Sequence, residues 1–374
     1  MSTARDLRPT WAEIDLDAFS RNVDAVVKRL PERSRLIAVL KADAYGHGAV
    51  EIARRCRADR VAMIATALLE EARELRDAGV ELPLLVLGPL TEAQIPIALD
   101  RQITIGVIGP EELDRVCRVA RDRDVTIHLK LDTGMGRMGV TESELNRVVQ
   151  MIQATPRLHV GAVYTHFANA SDPNDPLTQQ QIARFRTMSA AIPAPKRHLA
   201  NSAATMRGLV EPGDYARVGI SLFGAEALDV APALSRREPT GESALRLEPV
   251  LRWRTEIMRL KDLPAGHGIG YGTTFHTKRP SRIATLPVGY ADGYDRRLSN
   301  RGDVLVRGKR APVVGHVSMD LVTADVTDIP DARLGDEVVL LGGEITVEEL
   351  AERTGTIAYE VFCRISRRVP RVYR

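Results

Sequence analysis

Arg35-Leu-Ile-Ala-Val-Leu-Lys-Ala-Asp-Ala-Tyr-Gly-His-Gly48 begins as a strand and ends as a site. Residues 36–40 are apolar, and the chain then turns polar and glycine-bearing. A short apolar run bounded by turn residues reads as a buried strand. Lys41 stands at its C-terminal mouth, where an amine is held rigidly and is expected to be partly desolvated. That lowers its pKa and suits it to Schiff-base chemistry. The following Tyr45 and glycines let a hydroxyl and backbone approach an anion such as a phosphate. A strand-end lysine that snorkels into solvent before a turn is the other reading of the same residues.

Working outward, similar apolar runs recur at 61–65, 84–88, 103–108, 126–131, 160–165, 198–201 and 216–222. With 35–40 they make eight candidate strands. Amphipathic segments lie between them. Phe19, Val23, Val26, Val27 and Leu30 share one helical face, and 111–123 and 178–192 read similarly. Thr141 and Glu144 form a capping-box pattern at a helix start. Eight β–α units point to a TIM (β/α)8 barrel in an α/β chain. A doubly wound sheet is the structural alternative, because repeated units alone do not decide closure.

The pattern changes near residue 230. Residues 231–243 hold prolines, charges and a glycine, as a linker does. Beyond them the chain reads mostly β. Leu251, Trp253, Thr255 and Ile257 alternate, 303–307 and 311–325 flank a Gly-Lys turn as in a hairpin, and 337–341 is another strand. One helix, 347–353, carries a Thr346/Glu349 capping box. The expected domains are a barrel over 12–240 and a smaller β domain over 241–374, with residues 1–11 a candidate to pack on the latter.

Composition narrows the function. The length of 374 residues suggests about two domains. Lys plus Arg (52) barely exceed Asp plus Glu (49) and form no basic block, so nucleic acid is not an expected partner. Cys56, Cys117 and Cys363 are odd in number and far apart, which argues against a disulfide framework and fits a reducing compartment. No apolar run reaches membrane-spanning length, and the N-terminus lacks a signal-peptide core. A soluble, cytoplasmic protein without a metal is expected.

Barrel enzymes build their sites at the C-terminal ends of strands. Strand one delivers Lys41 and Tyr45. Strand five carries Lys130 and runs into Asp132-Thr-Gly-Met-Gly-Arg137-Met-Gly139. Strand six ends at His166, strand seven at Asn201 and Ser202, and strand eight carries Arg217 before Gly219-Ile220. Barrels often hold phosphate in the loops after strands seven and eight, where Ser202, Gly219 and Ile220 offer a hydroxyl and backbone N–H groups. Arg217 would point inward, where a cation needs a partner, either a ligand nitrogen or an Asp. Singly, each residue has an ordinary structural reading, such as a satisfied core histidine for His166. Together, spread over several strand ends, they form a candidate site.

With these motifs in place the sequence closely resembles the alanine racemases, from Trp11-Ala-Glu-Ile-Asp15 to Arg368-Val-Pro-Arg371. The most specific matches are Ala38-Val-Leu-Lys-Ala-Asp-Ala-Tyr-Gly-His-Gly48, Leu286-Pro-Val-Gly-Tyr290-Ala-Asp-Gly293 and Ala358-Tyr359-Glu-Val361. The resemblance implies pyridoxal 5′-phosphate as cofactor, an amino-acid substrate, and a head-to-tail homodimer whose second domain completes the partner's site. It implies Lys41 as the cofactor's Schiff-base lysine and one catalytic base, and Tyr271, in Gly270-Tyr-Gly-Thr-Thr274, as the second base on the opposite face. It implies Arg217 against the pyridine nitrogen with His166 beside it, and Arg137 near the cofactor's phenolic oxygen and the substrate carboxylate. Lys130 matches a lysine that is carbamylated in some members. The phosphate cradle would be Tyr45, Ser202, Gly219, Ile220 and Tyr359, next to Asn201. The Met319 backbone N–H would bind carboxylate, and Tyr271, Tyr290 and Tyr359 would narrow the entrance. D-Alanine for a bacterial cell wall would be the product.

Two positions depart from the common pattern. His316 and Ser318, in Val314-Gly-His-Val-Ser-Met-Asp320, stand where many members have Arg and Cys. They bear on side-chain tolerance and rate, not on the two bases. The alternatives are a serine or broad-specificity racemase, a basic-amino-acid decarboxylase of the same barrel-plus-β class, and a non-catalytic cofactor carrier. The decarboxylases usually set an acidic residue where Arg217 stands and use a β-domain Cys. The carriers lack a second domain.

Overall fold

A computed structural model describes residues 8–227 and 247–374. The chain divides into two compact units. One is Ser20–Leu222, and the other combines the described parts of Met1–Phe19 and Phe223–Arg374.

The second unit receives the first strand, β1 (Thr10–Ile14). The barrel start expected at residue 12 falls inside this strand, and the boundary expected at 240 lies outside the described residues.

The first unit is a parallel barrel. Its strands are β2 (Arg35–Val39), β3 (Val61–Thr66), β4 (Leu84–Val86), β5 (Ile103–Val107), β6 (Val125–Lys130), β7 (Leu158–Tyr164), β8 (Arg197–His198) and β9 (Tyr215–Val218). They follow one another around the sheet, and β2 pairs with both β3 and β9. That double pairing excludes the doubly wound alternative, in which the strand order would reverse. Between β9 and β8 the seam is bridged by the Arg217 N–H, which donates to the Ala200 carbonyl at 2.9 Å. The strands are apolar because both faces are covered. Leu36, Ile37 and Ala38 are fully buried, as are Leu84, Leu85 and Val86. Each fully buried Leu, Ile or Val among them contributes roughly 1.5–3 kcal/mol.

Helices wrap this sheet with one apolar face inward. Leu69–Asp77 buries Leu69, Ala72 and Leu75, one turn apart. Pro110–Val119 starts with proline, whose missing N–H costs nothing at a helix start, and buries Leu113 and Val116. Its Glu112 is buried too, and its carboxylate accepts the N–H groups of Leu90 (2.6 Å) and Ile108 (2.8 Å). The Thr141/Glu144 box is present, with the Thr141 N–H donating to Glu144 Oε2 at 2.8 Å.

The second unit is mostly β. Its further strands are β10 (Leu251–Glu256), β11 (Arg259–Leu263), β12 (Gly268–Ile269), β13 (Phe275–His276), β14 (Ser281–Leu286), β15 (Asp303–Val306), β16 (Lys309–Pro312), β17 (Val322–Asp325), β18 (Glu337–Leu341) and β19 (Arg371–Tyr373). A six-stranded sheet runs β16-β15-β18-β10-β1-β19, beside a β11-β14-β17 sheet and a β12-β13 ribbon. The alternation in β10 sends Leu251, Trp253 and Thr255 inward. Trp253 meets Tyr294 edge-on, with ring centroids 6.0 Å apart. Thr346 caps Val347–Thr354 by accepting the Glu349 N–H at 3.1 Å.

One expectation fails here. Residues 311–325 are not a single hairpin strand. β16 pairs with β15, β17 pairs with β14 in another sheet, and a loop intervenes. The break follows from Gly315, whose φ of +75° lies outside strand geometry, and from loop hydrogen bonds such as the Ser318 N–H to the Leu321 carbonyl at 2.9 Å.

Candidate active site

Lys41 lies one residue beyond β2, after Leu40, and is exposed, so the expected desolvation is not a property of this chain alone. The backbone after it is unusual. Ala42, Asp43, Ala44 and Tyr45 all have φ of 52–54° and ψ of 42–51°, one turn of left-handed helix. Each non-glycine residue there costs roughly 1–2 kcal/mol. Surrounding groups hold it: the Ala42 N–H donates to Glu71 Oε1 at 2.6 Å, the Ala49 N–H to Asp43 Oδ1 at 2.7 Å, and the Gly48 N–H to the Asp43 carbonyl at 3.0 Å. Strain held by neighbours, here beside the exposed Lys41 amine, marks a candidate functional segment.

This turn aims Tyr45 at Gly219. A Cβ on Gly219 would overlap the Tyr45 hydroxyl, so glycine is required by close approach. The Gly219 N–H donates to Ser202 Oγ at 2.9 Å. Ser202 opens the short helix Ser202–Met206, capped by Asn201, whose Oδ1 accepts the Ala204 N–H at 3.0 Å. Tyr45, Asn201, Ser202, Gly219 and the buried Ile220 thus lie together beyond the ends of β2, β8 and β9.

Arg217 is 4% exposed and has no carboxylate partner among the described residues. The Asp considered from sequence is replaced by carbonyls and imidazoles. Nη2 donates to the carbonyls of Thr165 (2.7 Å) and Leu199 (3.3 Å) and faces His166 Nδ1 at 3.3 Å. Nη1 donates to the His198 carbonyl and to His198 Nδ1 at 3.0 Å. The guanidinium lies 5.5 Å from the centre of the Tyr164 ring. Burial brings its pKa down to about 10, still protonated at neutral pH.

The imidazoles are forced neutral. Burial, then Arg217, holds His166 and His198 well below the ordinary histidine value and brings His128 to about 4. A neutral ring has one donor and one acceptor nitrogen. Arg217 can only donate, so His198 Nδ1 accepts and its Nε2–H points to His128 Nδ1, 3.0 Å away. By the same logic His166 accepts at Nδ1 and carries its proton on Nε2. The His166 carbonyl is fixed by Gln181 Nε2 at 3.0 Å.

Lys130 is also buried. Burial first, then Arg217 and Arg137, bring its pKa from 10.5 to about 8, while Asp132 opposes and Lys41 adds to the fall. Arg137 is exposed, on a loop that Asp132 shapes by accepting the N–H groups of Gly134, Met135 and Gly136 at 3.0–3.1 Å. Lys41, Lys130, Arg137 and Arg217 therefore share one electropositive barrel mouth, suited to an anionic ligand.

His198 and His128 were not singled out by sequence. His198 sits in a two-residue strand, and its parallel stacking on Tyr164 (4.6 Å) is a tertiary contact. His128 did carry a signal, since it stands two residues before Lys130 on β6 and so on the same face.

The remaining candidates lie in the second unit. Tyr271 (73% exposed), Tyr290 (43%) and Met319 (52%) are among its large exposed apolar side chains. The Tyr290 and Met319 segments are joined, with the Tyr290 N–H donating to Ser318 O at 3.0 Å and the Ala291 N–H to Met319 O at 3.1 Å. Gly270, next to Tyr271, lies against the His316 backbone. Tyr359 is half-buried in the helix Ala358–Arg364, whose end abuts Gly293, after Tyr290. Among the described residues there is no cluster of metal ligands, and no helix is long and apolar enough to cross a membrane.

Comparison with known proteins agrees over the whole chain. Residues 14–227 match the family model for the alanine racemase N-terminal domain and residues 250–373 that for its C-terminal domain. The chain is 40% identical to an alanine racemase of Halothermothrix orenii, covering 99% of this chain and 98% of that protein. It is 42% identical to one of Symbiobacterium thermophilum, at 98% and 97% coverage. The crystal structure of alanine racemase from E. faecalis superposes with a TM-score of 0.90 at 35% identity, covering 98% of each chain.

Proposed function

Since this chain belongs to the alanine racemase family and is an amino-acid racemase, an isomerase, we propose that it interconverts L- and D-alanine with pyridoxal 5′-phosphate in composite sites of a homodimer. The observation that carries this reading is the buried, carboxylate-free Arg217 at the mouth that also holds Lys41. The donors suit the cofactor: an amine for its aldehyde, an arginine for its pyridine nitrogen, and the Tyr45 and Ser202 hydroxyls with Gly219 and Ile220 backbone for its phosphate. The Gly219–Tyr45 contact is a cradle that a Cβ would fill. When bound, pyridoxal 5′-phosphate supplies the electron sink that acidifies the α-C–H bond of the joined amino acid.

The residues divide the proton work. Lys41 takes or returns the α-proton on one face, and Tyr271 of the partner subunit does so on the other, so neither base needs to swing around the substrate. A phenol is a weak base near pKa 10, and the Nε2–H of neutral His166 is suited to stabilise its phenolate by donating a hydrogen bond. Arg217 does not give up a proton readily, so it keeps the pyridine nitrogen unprotonated. That moderates the sink and favours return of the proton to the same carbon over transamination. Arg137 pairs with the substrate carboxylate, and the Met319 N–H adds a second donor. Carbamylation of Lys130 would turn a cation into an anion that orients Arg137. Tyr271, Tyr290 and Tyr359 narrow the entrance toward a methyl side chain, although one extra heavy atom costs only ~1–3 kcal/mol. A cytoplasmic supply of D-alanine for cell-wall synthesis is the biological use we propose.

The test is α-proton exchange of L-alanine in deuterated buffer with optical rotation, on wild type and Lys41→Ala. Exchange with D-alanine formation, lost in Lys41→Ala, is expected. Rotation lost with serine but not alanine would transfer the assignment to a serine racemase. No exchange with any amino acid would refute it.

A further inference from the structure

Asn300 bonds two loops that the proposed chemistry depends on. Its Oδ1 accepts the Gly315 N–H at 2.6 Å, and its Nδ2 donates to Thr274 Oγ1 at 3.1 Å. Gly315 begins the loop that carries His316 and Met319, and Thr274 ends the Tyr271–Thr273 turn. The amide orientation follows from chemistry, because an N–H from Gly315 must meet oxygen.

Both loops gain from an external brace. Around Tyr271, Gly270, Gly272 and Thr273 have φ of +71°, +66° and +42°, so backbone preference alone fixes the turn poorly. Within it the Thr273 N–H donates to the Gly270 carbonyl at 3.2 Å, and the two-residue β12–β13 ladder closes it at Ile269 and Phe275. Tyr271 itself is 73% exposed and gains little from packing within its unit. The loop beyond Gly315 is similarly held from outside. Besides Asn300, its neighbour Ser299 accepts the Val317 N–H at 3.0 Å through Oγ, and that hydroxyl donates to the Arg296 carbonyl at 2.5 Å. Asn300 adopts φ of +56°, a conformation asparagine tolerates better than most residues.

We propose that Asn300 is a positioning residue that sets the Tyr271 hydroxyl and the Met319 backbone N–H in register with each other. This rests on the two-base reading given above. Asn300 touches no reacting atom and acts through Thr274 on the tyrosine and through Gly315 on the carboxylate-binding loop. A base displaced by about 1 Å can lose on the order of 100-fold in rate.

The experiment uses the holoenzyme and three variants. Asn300→Gly keeps the left-handed backbone and removes both bonds. Thr274→Val removes only the tyrosine arm. Asn300→Asp retains both, since one carboxylate oxygen accepts the Gly315 N–H and the other accepts the Thr274 hydroxyl. The readouts are KM for alanine, the melting midpoint, and the α-deuterium isotope effect on kcat/KM for each enantiomer. Because kcat/KM is tied between directions in a racemase, the isotope effect reports which proton transfer has slowed. Asn300→Gly is expected to lower kcat/KM by ~10–100-fold, to raise KM, and to raise the isotope effect for one enantiomer only. Thr274→Val is expected to reproduce the one-sided isotope effect without the KM change, and Asn300→Asp to restore both. Wild-type KM with symmetric isotope effects in Asn300→Gly, or an Asn300→Asp no better than Asn300→Gly, overturns the inference. Tyr271→Phe separates the two ideas. If it keeps full turnover, the two-base reading itself fails. If it is inactive while Asn300→Gly is normal, only the role of Asn300 fails.

Discussion

Replacing Lys130 by methionine should make the protein more stable at neutral pH. The side chain leaves β6 for the barrel interior, is 4% exposed, and has Arg217, Arg137 and Lys41 for neighbours against Asp132 alone. Its folded pKa of about 8 lies below the ordinary 10.5. Between those values the unfolded chain binds more protons than the folded one, so stability rises with pH across the window. Below pH 8 the cost of holding the charge is complete, ~3 kcal/mol from the gap between the two values. Methionine has similar length and no charge, so Lys130→Met should raise stability at pH 7 by ~2–3 kcal/mol and by little near pH 10.5. Urea unfolding midpoints at both pH values, in buffer free of carbon dioxide, measure this. A variant less stable than wild type at pH 7, or the same offset at both pH values, would refute the argument. Bicarbonate adds a second reading. Only the neutral amine reacts with carbon dioxide, and the resulting carbamate would sit beside Arg137 and Arg217. Wild type should then gain stability, and Lys130→Met should not.

Two other expectations are simpler. Gly219→Ala puts a Cβ onto the Tyr45 hydroxyl, so titration with pyridoxal 5′-phosphate should show affinity weakened by ~1–3 kcal/mol; unchanged affinity would mean Tyr45 takes no part in the cradle. Asp214 is raised by burial from 3.8 to about 6, so the folded state binds the extra proton and stability falls as pH rises through that window. Asp214→Asn should raise the melting midpoint at pH 7 and leave it unchanged near pH 3.5; equal effects at both would remove the titration argument.

The barrel was legible because its signal is local. An apolar run followed by polar, glycine-bearing turns marks each strand, and parallel strands covered on both faces must be apolar throughout. The strand-end positions of Lys41, Arg217 and Ser202 therefore follow from the sequence. Other features are made between distant segments. The hydrogen-bonded chain from the Arg217 cation through neutral His198 to neutral His128 depends on side chains 19 and 70 residues apart. The left-handed turn at 42–45 has no glycine among its four residues and no sequence mark, because Glu71, on a later helix, supplies the N–H acceptor that holds it. The loop between β16 and β17 reads as strand in the sequence because Val313-Val314 and Val322-Thr323 are strand-forming pairs, and Gly315 alone does not outweigh them. A strand-end amine reads as partly desolvated, yet within a single chain Lys41 is exposed.

The pairing of β1 also has a temporal side. Thr10–Ile14 is buried along its whole length between β10 and β19, both of which are made long after it. More than two hundred residues separate it from the first of these partners. At a synthesis rate of about 5–20 residues per second, that is a wait of roughly ten to fifty seconds. Throughout it Trp11 and Ile14 lack the neighbours that bury them, while the barrel sequence emerges from the ribosome. The nascent chain must therefore carry this strand unpaired until β10 and then β19 have been made.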